Sequence, residues 1–205
     1  MKAALREILE TLLLTLLIFV IVRVVVQNFK VEGQSMEPTL SSGQYLLINK
    51  AIYWRVEPDE SITLGPFNMR LTDQDKTWYL FGSPQRGDVI VFRFPRDTTR
   101  DFIKRVIGIP GDSVEIRDNR VYVNGQPLQE PYTKEAIAYS PQPVVTVPSG
   151  HFYVLGDNRN NSSDSHSWGV VPEENIIGKA WIRYWPLNDW GLVPNTAIAF
   201  GNASP

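Results

Sequence analysis

The most one-sided pattern in the chain lies near its N-terminus. From Thr11 to Val22 the run TLLLTLLIFVIV carries no charge, and apart from Arg23 the stretch stays uncharged to Phe29. At about 1.5 Å per residue, roughly nineteen helical residues reach about 28 Å, close to the ~30 Å hydrocarbon thickness of a bilayer. The pattern predicts one membrane-spanning helix. Arg23 falls near its C-terminal end, where a long side chain can reach the interface while its stem stays in lipid. Lys2, Arg6 and Glu10 recur at four-residue steps and predict a solvated start to the same helix. The segment RVVVQNF after the apolar core lacks the small-x-small site of a cleavable signal peptide, which favours an uncleaved anchor over residues 1–28. Lys2 and Arg6 on one side face Arg23 and Lys30 on the other, so charge alone does not orient it.

From residue 29 the pattern changes to short runs rich in β-branched and aromatic residues: YLLIN (45–49), DVIVFRF (88–94), DFIKRVIGI (101–109), SVEIR (113–117), RVYV (120–123), VVTV (144–147), HFYVLGD (151–157) and IIGKAWIRYW (176–185). These predict a mainly β domain of antiparallel sheets over residues 29–205. Asp118-Asn119 and Asn124-Gly125 supply hairpin turns, and Pro172 with Glu173 and Glu174 opens one short helical turn. Residues 51–85 and roughly 124–143 break the pattern and predict excursions, the second carrying Pro127, Pro131, Pro141 and Pro143.

Composition narrows the chemistry. Lys plus Arg number 20 and Asp plus Glu 22, a formal charge of −2 that offers no general attraction to nucleic acid. There is no cysteine, and His151 and His166 are the two histidines, which rules out thiol chemistry, disulfides and a Cys/His zinc site. Neither a metal nor a cofactor is expected, and no feature points to an oligomeric state. Any catalysis falls to hydroxyls, carboxylates, lysine or histidine.

Three stretches could carry it. In EGQSMEPTL (32–40), Ser35 sits between Gly33 and Pro38 within a dozen residues of the apolar run, although a serine there also suits an ordinary turn. In DFIKRVIGI, alternation puts Phe102 and Lys104 on one face and Ile103 and Arg105 on the other. A lysine in an apolar strand is commonly an edge residue. If its amine is buried, desolvation lowers its pKa and fits it to serve as general base for a serine hydroxyl. In GDNRNNSSDSHSWG (156–169), dense Asp, Asn and Ser predict a hydrogen-bonded loop. Asp164 and His166 there permit a Ser-His-Asp triad on paper, with awkward spacing. His151, at a strand start, reads as a packed or surface residue.

In this order and behind an anchor, EGQSMEPTL, RGDVIVF (86–92), FIKRVIGIPGD (102–112) and GDNRNNSSDSHSWG resemble the successive boxes of type I signal peptidases. The resemblance, extended through VYVNGQPLQEPY (121–132), implies a signal-peptidase-like β domain and a membrane-bound Ser/Lys-dyad protease. Such an enzyme removes signal peptides from preproteins after small residues (Ala-x-Ala), with its N-terminus cytoplasmic and its catalytic domain across a plasma or thylakoid-type membrane. Its partners would be preprotein signal peptides and the lipid bilayer.

Position by position, the resemblance makes Ser35 the nucleophile, Lys104 the general base and Ser162 the hydroxyl that orients the lysine, with Asp164 bracing the site by pairing with Arg105. Gly33 stands where related enzymes carry a hydroxyl of the oxyanion hole, which leaves the second donor open between another group and the loop backbone. Phe29, Val31, Met36, Leu40, Val91 and Ile103 match positions lining shallow apolar pockets, and the substrate is expected to bind extended by strand addition. Where some members carry arginine this chain has His166, and the NNSxDSH form resembles the cyanobacterial and thylakoid branch. Trp185 and Trp190 suit either an interfacial belt or core packing. A self-cleaving Ser/Lys protease and a membrane-tethered module that binds peptides without cutting them are the alternative functions.

Overall fold

The computed structural model describes residues 2–56, 62–64, 67–69 and 78–201; the rest of the expected excursion at 51–85 lies outside the described residues. Helix α1 (Lys2–Val25) is continuous. The most apolar 18-residue window within Ala4–Val25 has a mean hydropathy of 2.6, and none of it is buried against the protein. Its large apolar side chains, from Leu5 to Val24, are 45–69% exposed, an all-round apolar surface that water would disfavour. Arg6 and Glu10 form the i,i+4 pair that the spacing suggests. The helix ends earlier than the expected boundary at residue 28, because β-branched Val24, Val25 and Val26 lead directly into a strand.

The strands in chain order are β1 (Val26–Lys30), β2 (Tyr45–Asn49), β3 (Arg55–Val56), β4 (Ile62–Leu64), β5 (Phe67–Met69), β6 (Trp78–Tyr79), β7 (Val89–Phe94) and β8 (Asp97–Gly108). They continue with β9 (Ser113–Arg117), β10 (Arg120–Val123), β11 (Gln126–Gln129), β12 (Gln142–Thr146), β13 (His151–Leu155), β14 (Val171–Pro172), β15 (Ile176–Trp185), β16 (Gly191–Leu192) and β17 (Ala199–Phe200). The main sheet runs β1-β2-β15-β7-β8-β13-β14, with β16 on β15, and a second runs β12-β9-β10-β11-β17. Pairs β3/β6 and β4/β5 are separate ribbons. Every pairing is antiparallel, so the mainly β reading stands.

Strand β7 explains why its sequence reads as an unbroken apolar run. Val89 and Val91 enter a core cluster with Val31, Met36, Leu40, Leu46 and Ile48, while Ile90 and Phe92 enter another with Val106, Phe152 and Val154. A strand covered on both faces has no polar face to alternate with. The second sheet encloses its own cluster, including Ile116, Val121, Val123 and Tyr153. Its two tight turns carry positive φ at Asp118, Asn119, Asn124 and Gly125, the signature of the predicted hairpin turns. Residues 124–143 contribute β11 and the buried Tyr132 and Ile137 despite their prolines.

Two features of the main sheet frame the site. Strand β1 is an edge strand. Strand β8 pairs with β7 from Asp97 to Arg105 but meets β13 only from Arg105 onward, so among the described residues its other edge is unpaired from Asp97 to Lys104. Trp185 and Trp190 are exposed, as are Leu187 and Leu192, which corrects the core-packing alternative for these tryptophans.

Candidate active site

Ser35 sits on the loop from β1 to β2. Val31 N–H donates to Gln44 O and Gly43 N–H to Val31 O, which closes the base of the loop, and the buried Met36 and Leu40 pin it to the core. Gly33 has φ +82°, a conformation that disfavours any residue with a Cβ. The loop is also tied to the segment after β13: Asn158 N–H donates to Ser35 O at 3.0 Å, Asn158 Nδ2 to Gln34 O and Asn161 Nδ2 to Gln34 Oε1.

Lys104 Nζ lies 2.7 Å from Ser35 Oγ and donates to the Ile103 carbonyl at 2.8 Å. Only 4% of the residue is exposed. Its amine stands 5.4 Å from the centroid of the Phe102 ring, itself stacked on Phe94 with Arg100 above it. Burial pulls the amine down from its ordinary value to about 8, against the upward pull of Asp164 and Asp157.

Arg105, on the next position of β8, is fully buried and grips Asp157 through two hydrogen bonds of 2.8 and 2.7 Å. It also donates to the carbonyls of Gly87 and Pro194, and Thr39 Oγ1 donates to Asp157 Oδ2. This corrects the expected Arg105–Asp164 pairing. In the β8/β13 register Leu155 faces Arg105, which brings Asp157, two residues on, to the guanidinium. Asp164 accepts from Gly156 N–H at 2.9 Å, approaches His166 Nδ1 at 2.6 Å and caps α2 (Ser165–Trp168). The His166 ring stacks on Tyr139. The hydrogen-bonding partner of the Ser35 hydroxyl is thus Lys104, and the paper triad is not assembled. His151 is a partly exposed surface residue, its Nδ1 2.8 Å from Ser149 O.

Ser162 departs from its expected contact. Its Oγ is buried without a hydrogen-bond partner among the described residues, so it makes no bond to Lys104. It crowds Gly156 instead: a Cβ on Gly156 would stand 2.2 Å from Ser162 Oγ and 2.5 Å from Ser35 O.

A groove of about 480 Å³ opens at Ser35 and Lys104, between Phe29, Lys30 and Glu32 on the β1 side and Arg100 to Ile103 on the β8 side. Of the six expected pocket residues, Phe29 and Ile103 line it. Val31, Met36, Leu40 and Val91 are at most 1% exposed and belong to the core behind it, a correction that follows from β7 and the loop being covered on both sides. Sequence reasoning missed Gly156, Asp157 and Thr39. The Gly-Asp pair directly after an apolar strand was the available signal for the first two.

A family model described as signal peptidase, peptidase S26, matches residues 5–185. The chain is similar to the probable signal peptidase I-1 of Synechocystis sp., 49% identical over 124 residues, which covers 57% of this chain and 63% of that relative. The probable signal peptidase I-2 of Synechocystis sp. is 38% identical over 194 residues, covering 89% of this chain and 76% of the relative. Thylakoidal processing peptidase 1, chloroplastic, of Arabidopsis thaliana is 39% identical over 122 residues, 55% of this chain and 36% of the relative. The resemblance to the cyanobacterial and thylakoid branch stands on these alignments. The chain spans a little under two thirds of the first of these relatives.

Proposed function

The chain belongs to the signal peptidase family, peptidase S26, and on that premise we propose that it is a membrane-bound serine endopeptidase that removes N-terminal signal peptides from preproteins after small residues. The observation that carries this reading is the 2.7 Å approach of a buried lysine amine to Ser35 Oγ, at a groove between two unpaired strand edges.

The neutral Lys104 amine accepts the proton of the Ser35 hydroxyl as Oγ attacks the scissile carbonyl. The protonated amine then gives a proton to the departing amine of the mature chain, and Lys104 activates the water that releases the signal peptide from Ser35. With a pKa of about 8, roughly one lysine in ten is neutral at pH 7, against about one in three thousand at its ordinary value. The Ser35 N–H supplies one oxyanion donor. Asp157 and Arg105 hold the strand and the serine loop together through Thr39, and Asp164 braces Gly156. Ser162 packs against Gly156, its hydroxyl without a hydrogen-bond partner among the described residues.

The groove supports an extended substrate, because β1 and the first half of β8 both offer unpaired backbone groups. Phe29 and Ile103 flank it, with the packed core of Val31, Met36, Leu40 and Val91 behind it, and apolar flanks of this kind support small side chains such as alanine. Helix α1 supports an anchor spanning a plasma or thylakoid-type membrane once, with the N-terminus cytoplasmic and the β domain on the far side. The exposed Trp185 and Trp190 suit an interface.

The test is cleavage of a separate preprotein carrying an Ala-x-Ala site, with the cut located by mass spectrometry. Cleavage after the second alanine, abolished by Ser35→Ala, is expected. Cleavage of the chain itself alone would favour a self-processing protease, and binding without cleavage a peptide-binding module.

A further inference from the structure

A second cavity, of about 600 Å³, lies away from Ser35, where the last turns of α1 meet the β domain. Phe19 and Val24 of the helix form one wall, and Trp54 and Ile176 belong to the other. Three cationic side chains, Arg23, Lys50 and Arg55, line it, and none of the described residues lining it is acidic. Arg23 lies in the last turn of α1, its guanidinium 5.6 Å from the centroid of the Phe19 ring. Among the described residues neither Arg23 nor Lys50 takes part in an ion pair. Arg55 also lines the cavity and donates to Glu173 O at 2.8 Å. Lys50 also borders a smaller cavity of about 300 Å³ lined by Arg93 and by the acidic Asp101 and Glu174.

We propose that this cavity binds the headgroup of an anionic phospholipid. The inference rests on the reading of α1 as a membrane anchor, which puts its C-terminal turn at headgroup depth. The chemistry there is two-sided. Arginine and lysine bind phosphate oxygens by charge-assisted hydrogen bonds. Phe19, Val24 and the half-exposed Trp54 offer the apolar and aromatic surface that acyl chains and the interface favour. A free phosphate would use only the first half of that lining, and a phospholipid uses both. Basic residues gathered beside a membrane-spanning helix gain affinity for an anionic leaflet with each charge.

The full chain is purified in detergent, mixed with phosphatidylglycerol or phosphatidylcholine, and the lipid retained on the protein is counted by native mass spectrometry. Phosphatidylglycerol is expected to be retained roughly tenfold more strongly than phosphatidylcholine, and the double variant Arg23→Gln/Lys50→Gln should lose most of that preference. The same variant should cleave a preprotein in detergent at the wild-type rate, which shows that it is folded. Equal retention of the two lipids, or a double variant that keeps the preference, overturns the proposal. Displacement of phosphatidylglycerol by inorganic phosphate alone would reassign the cavity as a bare anion site. Release of the chain from membranes by alkaline carbonate would contradict the anchor and the proposal with it. A chain that prefers phosphatidylglycerol but cleaves no preprotein supports the proposal while contradicting the protease reading.

Discussion

The amine of Lys104 stands 2.7 Å from the hydroxyl of Ser35, although 69 positions separate the two residues in the chain. Strand β8 carries the first and the β1–β2 loop the second, so the contact exists only once the main sheet and the loop after β13 are both in place.

The pH dependence of cleavage follows from the lysine. Its active form is neutral, so kcat/KM should rise with pH on a limb centred near 8. Asp164 pulls that value upward, and Asp164→Asn should move the limb to lower pH. A pH profile of preprotein cleavage for both proteins checks the direction. A limb that stays in place would show that the carboxylate does not act on Lys104.

The same burial has a consequence for stability. Lys104 binds its proton less tightly folded than unfolded, so between about pH 8 and its ordinary value of 10.5 the unfolded chain holds more protons, and stability rises with pH across that window. Below it the penalty is fully present, on the order of 3 kcal/mol. Lys104→Met removes that penalty at pH 7 and forfeits two hydrogen bonds worth about 1 kcal/mol each. Urea denaturation at pH 7 should therefore find the variant no less stable than wild type.

Arg105 and Asp157 should be far less forgiving. Both side chains are completely buried, and removing one leaves the other an uncompensated charge. Asp157→Ala and Arg105→Ala should each lose about 3 to 5 kcal/mol by urea denaturation. Asp157→Asn, which keeps an acceptor for the guanidinium, should lose less.

Gly156→Ala tests the packing behind the nucleophile. The added methyl would overlap the Ser35 carbonyl and the Ser162 hydroxyl, so the serine loop must shift and the 2.7 Å Ser35–Lys104 approach with it. Single-turnover cleavage should fall by at least about a hundredfold, since a misplaced reacting group on the order of 1 Å has that effect. Circular dichroism should show the β domain still folded.

How much of this was legible depends on whether the signal was local. The N-terminal apolar helix and the two hairpin turns were, because charge-free length and positive-φ residues such as Asn119 and Gly125 act where they stand. Ser35 and Lys104 were legible only through the ordered motifs around them. Asp157 was not, because the choice between two carboxylates seven residues apart is made by the register of β13 against β8. The pocket was misread for a related reason: Val31, Met36, Leu40 and Val91 are apolar and adjacent to the site, and sequence does not reveal which apolar neighbours face the groove and which face the core. Of the second sheet, β9, β10 and β12 were legible as short β-branched runs, whereas β11, with Pro127 inside it, was read as part of an excursion.

The identity of the base is the central claim, and one comparison tests it: single-turnover cleavage of a preprotein by Lys104→Met and by His166→Ala, each confirmed as folded by circular dichroism. His166 contacts Asp164 and stacks on Tyr139, whereas Lys104 reaches Ser35. Lys104→Met should lose at least about a hundredfold in rate, and His166→Ala should stay within about tenfold of wild type. An inactive His166→Ala beside a Lys104→Met that still cuts would contradict the lysine base and make the histidine the group that activates Ser35.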